Sequence, residues 1–273
     1  MPSCGIWASE KHKASEKRKG CAPEEDVALY RSAAFVLHTY KLGETDQIVV
    51  LFTQEFGKLR AVARRSHSPR RHAASYYQPL MLLDAIVYGR PGQALYRMHS
   101  ADILQALRPL HEDFGLLRCG LYMTELIDVA THERAPAPEL FGLFHQTLEQ
   151  LIQTSDPTLL LRRFELRLLM AIGYTPQLLY CAQCTRDLEA QAHTFSPRLG
   201  GLLCLTCAST VRQTLTVSPE ALTYLRRALA DDTTVAPQTP LAAAAQQELE
   251  RLLHAHLTFC LGHELKSYAF LHL

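Results

Sequence analysis

The sequence predicts an α+β chain: a small closed β-barrel at the N-terminal side, followed by a helical domain with an embedded four-cysteine module. Three observations carry this. Short apolar, β-branched runs separated by turn residues fill residues 30–103. From about Leu107 the apolar residues recur at helical spacing instead. Two C-x-x-C pairs then stand nineteen residues apart, across residues 185–203.

The strands are read in order. Ala34 to His38 is a short apolar run, and Leu42-Gly-Glu-Thr-Asp46 after it is a turn, with Gly43 and Asp46 suited to it. Glu44 and Asp46 are an acidic pair best explained as turn caps. Gln47 to Thr53 is β-branched and apolar, as strands are. Glu55-Phe-Gly57 turns the chain back into Lys58 to Ala63. Met81 to Tyr88 is broken by Gly89, Pro91 and Gly92, and Ala94 to His99 returns as its hairpin partner. Five short strands in so little chain suit an OB-fold, in which closure removes the exposed edges.

The helices follow. Phe114, Leu117, Leu121, Met123, Leu126 and Ile127 mark a buried helix. Pro138 opens the next, Glu139 to Thr154, and Asp156-Pro157 supplies an N-cap and N1 proline for a third that stops at Gly173. Ser218-Pro219 caps another, with Glu220 near its positive end. Residues 231–240 read as a polar loop, and Leu241 to about Leu265 as a closing helix. The expected organisation is a basic, disordered tail at 1–28, an OB-fold domain at 29–105, and a helical domain at 106–273 with the four-cysteine module at 181–207.

Composition excludes several classes. With 273 residues and 48% hydrophobic content the chain suits about two packed domains. A net charge of +1 means that any nucleic-acid surface must come from clustered cations. No apolar run reaches bilayer length and no signal-peptide core is present, so a cytoplasmic location and reduced cysteines are expected. No P-loop, dinucleotide fingerprint, G-x-S-x-G or H-E-x-x-H occurs, and His254 and His256, two apart on a helix, do not share a face. The chain is therefore read as non-enzymatic.

Cys181-Ala-Gln-Cys184 and Cys204-Leu-Thr-Cys207 have the spacing of a structural Zn²⁺ site. Each turn aims two sulfurs at one ion, and four thiolates leave no open catalytic position. A thioredoxin-like redox pair needs only one C-x-x-C. Cys119 and Cys260, in apolar helices, read as core residues.

Lys58, Arg60, Arg64, Arg65, Arg70 and Arg71 crowd residues 58–72, where no Asp or Glu occurs. Cations on a loop beside a barrel suit phosphate contact, with affinity that does not depend on sequence. Tyr76 and Tyr77 follow, as base-stacking platforms or as core residues.

Leu42-Gly-Glu-Thr-Asp-Gln-Ile-Val-Val-Leu-Phe-Thr-Gln-Glu-Phe-Gly-Lys-Leu resembles the opening of the bacterial RecO family. Phe164-Glu-Leu-Arg-Leu-Leu, Gly173-Tyr-Thr-Pro, Cys181-x-x-Cys184, Phe195-Ser-Pro and Gly200-Gly-Leu-Leu-Cys204-x-x-Cys207 follow in that family's order. The resemblance covers about residues 30–230. It implies a recombination mediator that binds single- and double-stranded DNA and anneals complementary strands. With RecR, and in some settings RecF, such a mediator helps load RecA onto strands coated by single-strand-binding protein (SSB). Some members lack the cysteines, which implies a stabilising role for zinc. The resemblance also implies contact with the acidic, apolar C-terminal tail of SSB, which needs an apolar groove rimmed by cations. Arg118 on the first long helix, and Arg162, Arg163 and Arg167 on the third, are the candidates for that rim. The competing classes are an RNA-binding or translation-associated OB-plus-zinc protein and a zinc-dependent hydrolase.

Overall fold

The structure, a computed structural model, describes residues 27–64, 77–188, 193–230 and 241–271. The predicted tail, apart from its last residues, and the predicted loop at 231–240 lie outside the described residues.

Five strands close into a barrel in the order β1-β2-β3-β5-β4: β1 Ala28–Leu42, β2 Asp46–Thr53, β3 Gly57–Arg64, β4 Leu82–Gly89 and β5 Tyr96–Gln105. All neighbours are antiparallel except β3 and β5, which meet in parallel at Ala61–Tyr96 and Val62–Arg97 to close the barrel. The first strand is much longer than the apolar run that announced it. It pairs with β4 through its first half and with β2 through its second, shifting register between Val36 and His38.

The middle of β1 lacks the apolar–polar alternation of a half-exposed strand because both faces are buried. Ala34 and Val36, with Val49 and Leu51 of β2, fill the barrel. Phe35 and Leu37, with Val50 and Phe52, point the other way into the helical core. There Phe35 meets Phe141 and Phe144 at ring distances of 5.3 and 4.9 Å.

The helices are α1 Arg108–Glu112, α2 Phe114–Ala130, α3 Pro138–Gln153 and α4 Pro157–Ala171, then α5 Leu205–Ala208, α6 Pro219–Ala230 and α7 Ala243–Leu261. Their ends carry the predicted chemistry. Asp156 accepts from the Leu159 amide at 2.9 Å, and Ser218 from Ala221 at 3.3 Å. After α4, Gly173 takes φ 83°, and the Tyr174 amide reaches back to the Leu169 carbonyl at 2.8 Å. The expected single start near Leu107 is two helices, because Asp113 leaves the helical conformation and caps α2 by accepting from Leu116. The predicted closing helix ends at Leu261, and a 3₁₀ turn, Lys266–Phe270, folds back onto α2. A three-stranded sheet, β7-β6-β8, is inserted between α4 and α6: β6 His193–Ser196, β7 Gly201–Leu203 and β8 Leu215–Val217. Among the described residues, no helix is long and apolar enough to cross a membrane.

Candidate metal centre and nucleic-acid interface

The four predicted cysteines converge. Cys181 and Cys184 lie on a tight turn in which the Cys181 amide donates to the Arg186 carbonyl at 2.8 Å and Thr185 donates back to Cys181 at 2.9 Å. Thr185 takes φ 59° to close it. Cys204 and Cys207 flank the first turn of α5, directly after β7. Backbone bonds join the two turns: Ala182 donates to Leu202, and Leu202 to Gln177, at 2.8 and 2.9 Å. A side chain at Gly201 would run into Gln177 at 2.8 Å, so glycine is needed there for close approach.

All four sulfurs lie within 4.8 Å of one another. The Cys184 and Cys204 sulfurs are 3.7 Å apart. A tetrahedron built on a metal–sulfur bond of about 2.3 Å has an edge of about 3.8 Å, so the thiols already have the spacing of a ligand shell. The Cys204 amide donates to the Cys181 sulfur at 3.4 Å, a hydrogen bond that stabilises a thiolate there. Protonation points the same way. Burial opposes ionisation of Cys181, but backbone amides of Cys204, Cys184 and Gln183 bring it down to about 6. Cys207, sharing its hydrogen bond with Cys204, is pushed up to about 12. Four thiols this close cannot all ionise alone; a bound cation removes the conflict. The cluster can hold a metal ion.

The six cations predicted for DNA are placed unequally. Lys58 reaches from β3 to the end of α2, where its ammonium donates to the Asp128 carboxylate at 2.8 Å and its carbonyl at 2.6 Å. Arg60 pairs with Glu133 at 2.7 Å, and Arg64 lies 3.9 Å from Asp46; both remain half exposed. Arg65, Arg70 and Arg71 lie outside the described residues, as does Tyr76. Tyr77 packs partly against the barrel core. Asp128 and Glu133, the acids that engage the basic strand, escaped sequence reasoning because they are about seventy positions further along the chain.

The candidate rim arginines separate into three environments. Arg162 is inside the helical core, 1% exposed, with Glu165 at 3.0 Å. Arg118 donates to the carbonyls of Phe270 and Leu271 at 3.1 and 3.3 Å and lies over the Phe114 ring, so it holds the C-terminal turn. Arg163, itself 3% exposed, and Arg167, one helical turn apart, line a cavity of about 350 Å³ between α3 and α4. Leu143, Leu160 and Phe164 are its apolar lining, and Glu139 and Gln146 also line it.

The comparisons with known proteins cover both halves of this arrangement. The family described as Recombination protein O N terminal matches residues 27–107, and Recombination protein O C terminal matches residues 111–269. A DNA repair protein RecO of Bacillus pumilus is 31% identical over 89% of this chain and 93% of its own length. The DNA repair protein RecO of Anaeromyxobacter dehalogenans is 34% identical over 86% of this chain and 93% of its own. That of Symbiobacterium thermophilum is 33% identical over 90% and 97%. With the barrel, the helical domain and the cysteine module all inside the matched span, the chain belongs to the recombination protein O family.

Proposed function

We propose that this chain is a non-enzymatic DNA repair mediator that anneals complementary single strands and helps load a recombinase onto SSB-coated DNA, with RecR as partner and RecF in some settings. The observation that carries the reading is the match of both family descriptions, end to end, over one barrel-plus-helix unit. Three further features support it. Arg60 and Arg64 keep half of their surface exposed on β3, where they lead into the acid-free basic run with Arg65, Arg70 and Arg71. The four-cysteine cluster, with zinc as its metal, would stabilise the helical domain rather than catalyse. The α3–α4 cavity has the chemistry for an acidic, apolar peptide end: apolar lining and two guanidinium groups one turn apart, against a single lining acid, Glu139. On this reading Arg163 and Arg167 receive the SSB tail, while Arg118 acts on the chain's own C-terminal turn.

Strand annealing with complementary oligonucleotides, naked or coated with SSB that has or lacks its tail, tests this. Annealing on naked DNA should be independent of the tail, and on coated DNA dependent on it. Arg163→Ala with Arg167→Ala should lose only the coated reaction. The quadruple change of Arg64, Arg65, Arg70 and Arg71 to Ala should weaken binding on every sequence and flatten the salt dependence, by about 0.7 per lost phosphate contact on single strands. Wild-type protein that does not anneal naked strands would overturn the proposal.

A further inference from the structure

We propose that single-stranded DNA runs across the outer face of the barrel where β3, β5 and β4 close it, with Arg97 holding a phosphate between Arg60 and Arg64, and Tyr88 stacking on a base. The inference rests on the DNA-binding reading above and adds to it a cation and an aromatic from the two neighbouring strands.

Strand register brings these residues together. Ala61, Ala63, Val87, Tyr96 and Met98 fill the barrel. The alternate positions on the same strands, Arg60, Val62, Arg64, Tyr88, Arg97 and His99, therefore point outward. Arg97 is the register partner of Val62 on one side and of Tyr88 on the other. For the antiparallel Tyr88–Arg97 pair this places the Cβ atoms about 5 Å apart on one face. Arg60 and Arg64 stand two positions either side of Val62, about 7 Å away along β3. The Tyr88 and His99 rings meet edge to face at 6.3 Å, so the Tyr88 ring lies along β5 on this face. The helices cover a different part of the barrel, since Phe35, Leu37, Val50 and Phe52 of β1 and β2 turn outward into the helical core.

The chemistry of the face suits a polyanion with accessible bases. Arg60, Arg64, Arg97 and His99 are exposed, and Tyr88 is half-buried. Arg97 has no ion pair among the described residues. Arg60 and Arg64 are paired with Glu133 and Asp46, but pairs this exposed are weak enough for a phosphate to replace. No Asp or Glu occurs in residues 56–83 or 85–101, which include all of β3 and the facing parts of β4 and β5. Asp84 and Asp102, register partners further along β4 and β5, lie four positions from Tyr88, and Arg31 bonds Asp84 at 2.7 Å. Arg64 ends β3 directly before the basic run, so this face continues the cationic surface already proposed. An aromatic beside cations that track a backbone is the combination that binds single strands without sequence preference. A duplex keeps its bases paired and offers Tyr88 nothing to stack on.

The test is titration of a labelled oligothymidylate, and of a labelled duplex, with the full chain across a salt series. Arg97→Ala should weaken single-strand binding and reduce the slope of log affinity against log salt by about 0.7, the value of one phosphate contact. Arg97→Lys should keep the slope. Tyr88→Leu should keep the slope, weaken single-strand binding about fivefold or more and leave duplex binding unchanged, and Tyr88→Phe should restore the loss. Unchanged thermal midpoints would show that the variants remain folded. An equal loss on duplex from Tyr88→Leu would overturn the stacking role. If Arg97→Ala and Tyr88→Leu both match wild type while Arg65, Arg70 and Arg71 changed together to Ala bind weakly, this face is overturned and DNA binding through the basic run stands. If wild type does not bind the oligonucleotide, both fall.

Discussion

Arg162 and Glu165 show how far a single residue can be read from its neighbours. Their i,i+3 spacing on a helix announces an ion pair, and the pair exists. Its burial was not announced: Arg162 is 1% and Glu165 0% exposed, and the Tyr122 hydroxyl donates to Glu165 at 2.6 Å. α4 is wrapped by α2, α3, α6 and α7, so even its charged face is interior. A buried pair is costly to break and cheap to replace. Arg162→Met should lower unfolding free energy by about 3–5 kcal/mol, because Glu165 is left buried without its counter-charge. Adding Glu165→Gln, which keeps an acceptor for Tyr122, should recover most of that loss. Urea unfolding of the three proteins measures both; an additive loss in the double variant would show that the pair itself is stabilising.

Among the elements, the cysteine module was the most legible. Two C-x-x-C pairs and a double glycine dictate two tight turns and a close return, and these are found. A module with three short strands and a four-residue helix has little apolar interior, so an ion held by the four cysteines would replace core. Cys204→Ser should therefore lower the thermal midpoint by several degrees while the protein that remains folded keeps most of its DNA affinity. One equivalent of zinc by elemental analysis, lost together with the upper part of the melting curve on chelation, is the expected result. The strand β1 was less legible. Its flanks, Ala28–Ala33 and Thr39–Leu42, are exposed or half exposed apart from the buried Ser32 and carry no continuous apolar run, since pairing with β4 and β2 rather than burial extends them.

At the scale of the whole molecule, the barrel and helices share one apolar core and a polar clasp. Asp128 at the end of α2 accepts from Lys58 at 2.8 Å and lies 3.2 Å from His38 Nε2, linking β3 and β1 to the helices. Gly57, at φ 69°, lets the β2–β3 turn approach Ala135 so closely that a Cβ would lie 2.2 Å from its carbonyl oxygen. Partial burial works against the Asp128 carboxylate, but bonds from His38 and Lys58 prevail and lower its pKa from 3.8 to about 2. A depressed carboxylate stabilises the fold above its unfolded value, and that contribution disappears as pH falls through the folded one. The wild type should thus lose stability between about pH 4 and pH 2 more steeply than Asp128→Asn, while the two run parallel above pH 5. Denaturant midpoints across that range check this; identical slopes would mean that the clasp does not titrate with folding.

Local sequence is enough to specify the α+β division, the barrel's turns, the helix caps and the four clustered sulfurs. Each of these is a local matter of backbone sterics, hydrogen bonding or ligand spacing within a few residues. Only the tertiary structure decided what the charges do. Lys58 and Arg60 meet acids about seventy positions away. Arg162 and Arg163 are both buried, the second with Arg167 along a cavity, and Arg118 grips the C-terminal turn. A guanidinium looks the same in a sequence whether it is solvated, buried or poised over a groove. Which of these it becomes depends on the elements packed around it, and those arrive from distant parts of the chain.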